Sequence, residues 1–119
     1  MSADARHVLG ALGEQLARAH LEGLGFTIVG VNVRVGRLEL DVVARRPGLV
    51  VFCEVRTRAS AGFVDPIDTI DWRKQQRIRA AARAFLARHG DVASEVRFDA
   101  AQVVGSGRDA VLTYYESAF

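Results

Sequence analysis

The chain has one cysteine, one tryptophan and two prolines, and among its 16 basic residues only Lys74 is a lysine. A lone Cys53 rules out an internal disulfide, and no spaced Cys or His partner gives it a zinc-site pattern. It alternates with Val51 and Val55 on an apolar face and reads as a small core residue. No apolar run approaches the length of a membrane helix, and no basic segment followed by an apolar block opens the chain as a secretory signal would. The expectation is therefore a cytoplasmic protein that does not enter a membrane. Repeats, linkers and low-complexity tracts are also absent. With 119 residues, half of them hydrophobic, the chain can build one compact core but not two, so residues 1–119 read as one domain.

Acid is missing from one long stretch. Between Trp72 and Gly90 lie Arg73, Lys74, Arg77, Arg79, Arg83 and Arg88 with no Asp or Glu among them. The formal net charge of +2 says little, but this concentration sets up a positive field suited to phosphate. A merely soluble helix surface is the competing reading, although mixed-sign charge is the usual route to solubility.

What the chain does have is organised around Leu38–Arg56. Period-two alternation broken at Pro47 and Gly48 predicts two strands joined by a tight turn. Leu38, Leu40, Val42 and Ala44 are expected on one face of the first strand, with Glu39, Asp41 and Val43 on the other. In the second strand Leu49, Val51, Cys53 and Val55 form the apolar face. Matching the apolar faces across the turn sets Val43 opposite Phe52, Asp41 opposite Glu54 and Glu39 opposite Arg56. The last pair reads as a cross-strand ion pair. Two facing carboxylates, by contrast, are unfavourable unless a cation lies between them, and a divalent metal such as magnesium fits that need. Acids on a strand also commonly mark a solvated edge. Against that, Glu54 sits inside the near-continuous apolar run LVVFCEVR, where an ionised side chain is costly without a partner.

The rest of the chain frames this hairpin. Ser2 or Asp4 is expected to cap a helix running to about Leu24, with Leu9, Leu12 and Leu16 on one stripe and Gly10, Glu14, Ala17 and Leu21 on another. Phe26–Val33 reads as a strand, with Gly30 marking a bulge or a close approach of backbone. Thr57–Pro66 reads as a loop rich in small residues, either a flexible substrate rim with Gly62 as its hinge or a simple connector. Asp68 or Thr69 is expected to cap a second helix ending near His89 and Gly90, with Ile78, Ala81, Ala82 and Phe85 as its core stripe. Lys74 and Gln75 extend that stripe at the helix start, an unusual place for a lysine. Free amide donors there also favour an anion. Glu95–Val104 and Ala110–Tyr115 read as the last strands, separated by a turn at Gly105–Asp109. His7 and His20 have no ligand-spaced partner and read as surface or packing residues.

An acid followed by E-x-K at the end of an apolar strand is the signature of the PD-(D/E)xK nuclease fold, present here as Asp41 and Glu54-Val55-Arg56. The chain more closely resembles the YraN family of bacterial nuclease-like proteins, themselves similar to archaeal Holliday-junction resolvases. That resemblance spans nearly the whole sequence: Gly13-Glu14 with Ala17 and Leu21, Asn32 and Arg34, Glu39-Leu40-Asp41, Glu54-Val55, Lys74-Gln75 and Arg97-Phe98-Asp99. One departure stands out, since Arg56 occupies the position of the family's lysine. The resemblance implies an α/β, restriction-endonuclease-like core: a mixed central sheet flanked by helices, in the order αβββαββ.

It also implies a chemistry. Asp41, Glu54 and the carbonyl of Val55 would hold magnesium or manganese, with Glu14 supporting a second ion or a bound water. Arg56 or Lys74 would stabilise charge developing on phosphorus. Arginine stays protonated, so activation of water would rest on the metal. Arg73, Lys74, Gln75 and Arg77 are the expected nucleic-acid contacts. Three readings of function result: a metal-dependent DNA endonuclease, including one for branched DNA; a nuclease-fold binding module with little or no cleavage; or an interaction protein with a vestigial acidic pocket. Branched substrates are two-fold, and by that analogy a homodimer is expected.

Overall fold

A computed structural model describes residues 3–58, 70–90 and 94–119, with side chains from residue 10 onward. Helix α1 (Ala3–Gly23) leads into three antiparallel strands, β1 (Thr27–Val35), β2 (Leu38–Arg46) and β3 (Leu49–Arg58). Helix α2 (Trp72–His89) lies between β3 and β4 (Glu95–Val104), which run parallel, as strands joined through a helical crossover do. After a short 3-10 turn at Gly107–Asp109, β5 (Val111–Tyr115) pairs antiparallel with β4. The sheet order is β1-β2-β3-β4-β5, so the chain adopts the expected mixed sheet and the expected order αβββαββ.

Pro47 and Gly48 form the two-residue turn between β2 and β3, closed by the Arg46 and Leu49 pair. Gly48 has φ +81°, a conformation that costs a residue without Cβ nothing. The expected bulge also occurs, the β1–β2 register shifting between Ile28 and Gly30. Helix α2 starts at Trp72, with Asp71 as its cap: the carboxylate accepts the Lys74 N–H at 2.8 Å. The caps expected at Asp68 or Thr69 lie outside the described residues, as does the 59–66 part of the expected loop, including Gly62. The first two residues of that loop, Thr57 and Arg58, instead extend β3.

Each helix covers one face of the sheet. Ala17 and Leu21 of α1 pack with Val42, Ala44, Val51 and Cys53, while Ile78, Ala81, Ala82 and Phe85 of α2 pack with Val43, Val50, Phe52 and Phe98. Cys53 is the core residue its pattern suggests, and burial pushes its thiol pKa up. His20 stacks on Tyr114 with ring centroids 4.3 Å apart, a packing role.

The expected faces of β2 fail at its start. Leu38 and Leu40 do not share a face with Val42 and Ala44, but pack on the α2 side with Val33 and Val35. The pleat breaks where Asn32 and Asp41 face each other, between the pairs Val31 with Val42 and Val33 with Leu40. Asn32 has φ +52°, a conformation that asparagine tolerates better than most residues and that disrupts alternation locally. Asp41 and Glu39 are thereby turned toward α1.

Candidate functional site

The site begins with a close approach. Gly13 is buried against β3, and a Cβ there would collide with Thr57 Cγ2 and lie 3.2 Å from Val55 Cγ1. Only a residue without a side chain lets α1 settle at this depth. The next residue, Glu14, is consequently brought over the pleat break, where its Oε2 accepts from Asn32 Nδ2 at 2.8 Å.

Beside it the hairpin forks. The β2–β3 register is the expected one, but the paired ladder ends at Val42 and Cys53, leaving Asp41 and Glu54 as the next residues outward. In place of a ladder bond, the Val55 N–H donates to Asp41 Oδ2 at 2.8 Å. A side chain has replaced a backbone acceptor, which fixes the carboxylate between the strands.

Three carboxylates converge here: oxygens of Glu14, Glu39 and Asp41 lie within 4.8 Å of one another. Burial, then the charge of Glu54, raises Asp41 from 3.8 to about 7, and the Val55 N–H only partly offsets this. Glu14 is also raised, mainly by burial, with the Asn32 bond acting the other way. An all-oxygen cluster whose members repel each other suits a hard divalent cation, so the residues present fit magnesium or manganese. Glu39 is the member that the sequence reading assigned elsewhere. Its expected partner Arg56 is not the one it takes: Glu39 pairs with Arg34, its register partner on β1, at 3.9 Å, beyond the point where the β2–β3 ladder ends.

Glu54 stands on the other side of Asp41. It is buried, yet its Oε1 lies 3.5 Å from Arg56 NH2 and 3.7 Å from Lys74 Nζ. The lone lysine therefore reaches the acids from the first turn of α2, as its place on the buried stripe suggested. Arg56 and Gln102 are register partners on β3 and β4, and Arg56 Nε and Gln102 Oε1 are buried without hydrogen-bond partners among the described residues. An unsatisfied buried donor is costly, and here it belongs to a guanidinium beside the acids. Gln75 donates to the Ile70 carbonyl at 2.9 Å and so ties down the helix start. Arg73 and Arg77 are both exposed on α2, and Arg77 shares with Lys74 a groove floored by Ala80 and Ala81.

Residues 13–103 match the model of a family described as Uncharacterised protein family UPF0102. The chain belongs to UPF0102, the YraN family. A UPF0102 protein of Sorangium cellulosum is 47% identical over 106 residues, covering 86% of this chain and 73% of its own length. One from Alkaliphilus metalliredigens is 34% identical over 93% of this chain and 96% of its own, and one from Acidothermus cellulolyticus 37% identical over 99% and 98%. The family match starts at Gly13, the residue that seats α1, and spans the whole cluster from Glu14 to Lys74. No described helix of this family member is long and apolar enough to cross a membrane.

Asn32 and Glu39 are among the residues that carry the resemblance, but the sequence reading assigned neither to the site. Glu39 was legible as sharing a face with Asp41, but its convergence with Glu14 depends on the pleat break. Asn32, the residue that makes that break and orients Glu14, had one local signal: a polar amide amid the alternating valines of VGVNVRV.

Proposed function

We propose that this protein is a metal-dependent endonuclease that hydrolyses phosphodiester bonds in DNA. The observation that carries this reading is the fork, where carboxylates of Glu14, Glu39 and Asp41 converge while Lys74 and Arg56 converge on Glu54 next to them. Magnesium or manganese would be held by Asp41 with Glu14, Glu39 or Glu54 and would supply Lewis-acid polarisation of a phosphoryl oxygen. Lys74, half-buried at the head of α2, is positioned to stabilise negative charge gathering on the phosphoryl group. Arg56 keeps its charge throughout and serves as a binding group rather than a base. The likeness to archaeal resolvases makes four-way DNA the first substrate to test, and the cytoplasm is the compartment proposed for the reaction.

The second reading is a nuclease-fold module that binds nucleic acid without cutting it. Arg56 favours it, being an arginine at the lysine position whose guanidinium is drawn to Glu54. Incubation of linear and four-way DNA with manganese separates the two. Wild type should cut, Asp41→Asn should not, and Lys74→Ala should be slower by about 10²-fold or more, the loss typical of removing one charge-stabilising donor. DNA that is bound yet left intact by wild type in either metal would retire the endonuclease reading in favour of the module.

A further inference from the structure

We propose that Arg37, on the turn between β1 and β2, completes a basic groove that holds the sugar-phosphate backbone of the strand reaching the acids. This rests on the nucleic-acid reading above and extends it to the opposite wall. The groove has a volume of about 600 Å³ and lies between that turn and the first half of α2, with Arg37 on one side and Lys74 and Arg77 on the other. Val35, Leu38, Ala80 and Ala81 line it between the cations. Arg37 and Arg77 are exposed and form no ion pair with an acid among the described residues. Two unpaired guanidinium groups facing across an aliphatic floor suit a chain of phosphates, because each can take a phosphate oxygen through its fork of donors.

The groove is continuous with the site through Lys74, which lines it and also stands 3.7 Å from Glu54 Oε1. A backbone lying in the groove would therefore run toward the acids. The turn holds its shape through Gly36 at φ +60°, which sets Arg37 at the tip. Three cations drawn from two elements separate this groove from a merely basic helix face, where one element would supply them all.

The test is fluorescence anisotropy of a labelled DNA oligonucleotide titrated with the full-length protein over a series of salt concentrations. Arg37→Ala and Arg77→Ala are each expected to weaken binding uniformly across sequences and reduce the logarithmic salt slope by about one. Arg45→Ala serves as the charge-matched control: Arg45 is also exposed, but sits at the far end of β2 beside the Pro47–Gly48 turn. Its slope should match wild type. If Arg37→Ala and Arg45→Ala behave alike while wild type binds, the groove assignment is wrong and the nucleic-acid reading survives. Absence of salt-dependent binding by wild type would overturn both.

Discussion

Two aspartates on the strands that flank β3 meet opposite fates. Asp99 on β4 is fully buried and completely served: Arg97 donates through Nε and NH2 at 2.9 Å each, Tyr114 Oη–H at 2.6 Å and the Ser117 N–H at 3.0 Å. Asp41 on β2 is half-buried, receives one backbone N–H, and faces acids on both sides. A carboxylate with its full complement of donors is a structural fixture. One held near its own kind, with its pKa raised to about 7, carries repulsion that a proton or a cation would relieve. The protein thus spends its donors where it needs rigidity and withholds them where the proposed chemistry lies.

Asp99 serves as a latch for the C-terminal segment. The Ser117 N–H reaches it because Ser117 takes φ +50°, the Ala118 N–H then donates to the Phe98 carbonyl at 2.8 Å, and Phe119 stacks on Phe98. The largest expected effect follows from removing it. Asp99→Ala would remove four hydrogen bonds to a fully buried carboxylate, from Arg97, Tyr114 and Ser117, and should cost about 3–5 kcal/mol in urea unfolding. Asp41→Asn, measured in the same way at pH 4 without metal, should stay within about 1 kcal/mol of wild type, since asparagine still offers Val55 an acceptor. Equal losses at the two positions would erase the contrast.

The next effect sharpens the comparison at the cluster's own foundation. Gly13→Ala would set a methyl into Thr57 Cγ2, and overpacking of this kind costs about 1–3 kcal/mol. Thr57→Ser removes that same methyl, so the double variant should recover most of the loss, a coupling readable in a double-mutant cycle. Manganese-induced thermal stabilisation should fall in Gly13→Ala, because Glu14 rides on the displaced turn, and should return in the double variant. A loss in stability that Thr57→Ser leaves untouched would show that depth of helix seating is not what Gly13 provides.

How much of this could be read beforehand depends on range. Local signals were sufficient for the hairpin: Pro47-Gly48 fixed the turn and, with the apolar faces, the register that aligns Asp41 with Glu54. The core stripe of α2 was equally legible, because Ile78, Ala81, Ala82 and Phe85 repeat at helical spacing. The approach of Lys74 to Glu54 followed from that stripe. Alternation failed at Asp41, however, because a single left-handed asparagine on the next strand decides which face Leu38, Leu40 and Glu39 take. A propensity argument treats each strand alone and has no means of detecting that. The Asp99 latch was hidden for a related reason: its donors come from three separate places, and only Arg97, two residues away on the same face of β4, hints at it in sequence.

The smallest expected effect is in how stability depends on pH, and it isolates the aspartate that lacks donors. The Asp41 carboxyl titrates near 3.8 when unfolded and near 7 when folded, chiefly because burial and then Glu54 disfavour its charge. Between those values the native state holds a proton that the unfolded chain has released. Stability must then decrease as pH rises through this window, being fully favoured below about 4 and losing Asp41's contribution through about 7. Glu14, raised for the same leading reason, adds a term of the same sign. Asp41→Asn cannot titrate, so in chelator its melting temperature should match wild type at pH 4 and exceed it by a few degrees at pH 8. Added manganese should flatten the wild-type slope from the other direction, by favouring the ionised form. A variant that keeps the full wild-type slope would assign the titration to another group and leave Asp41 no more strained than Asp99.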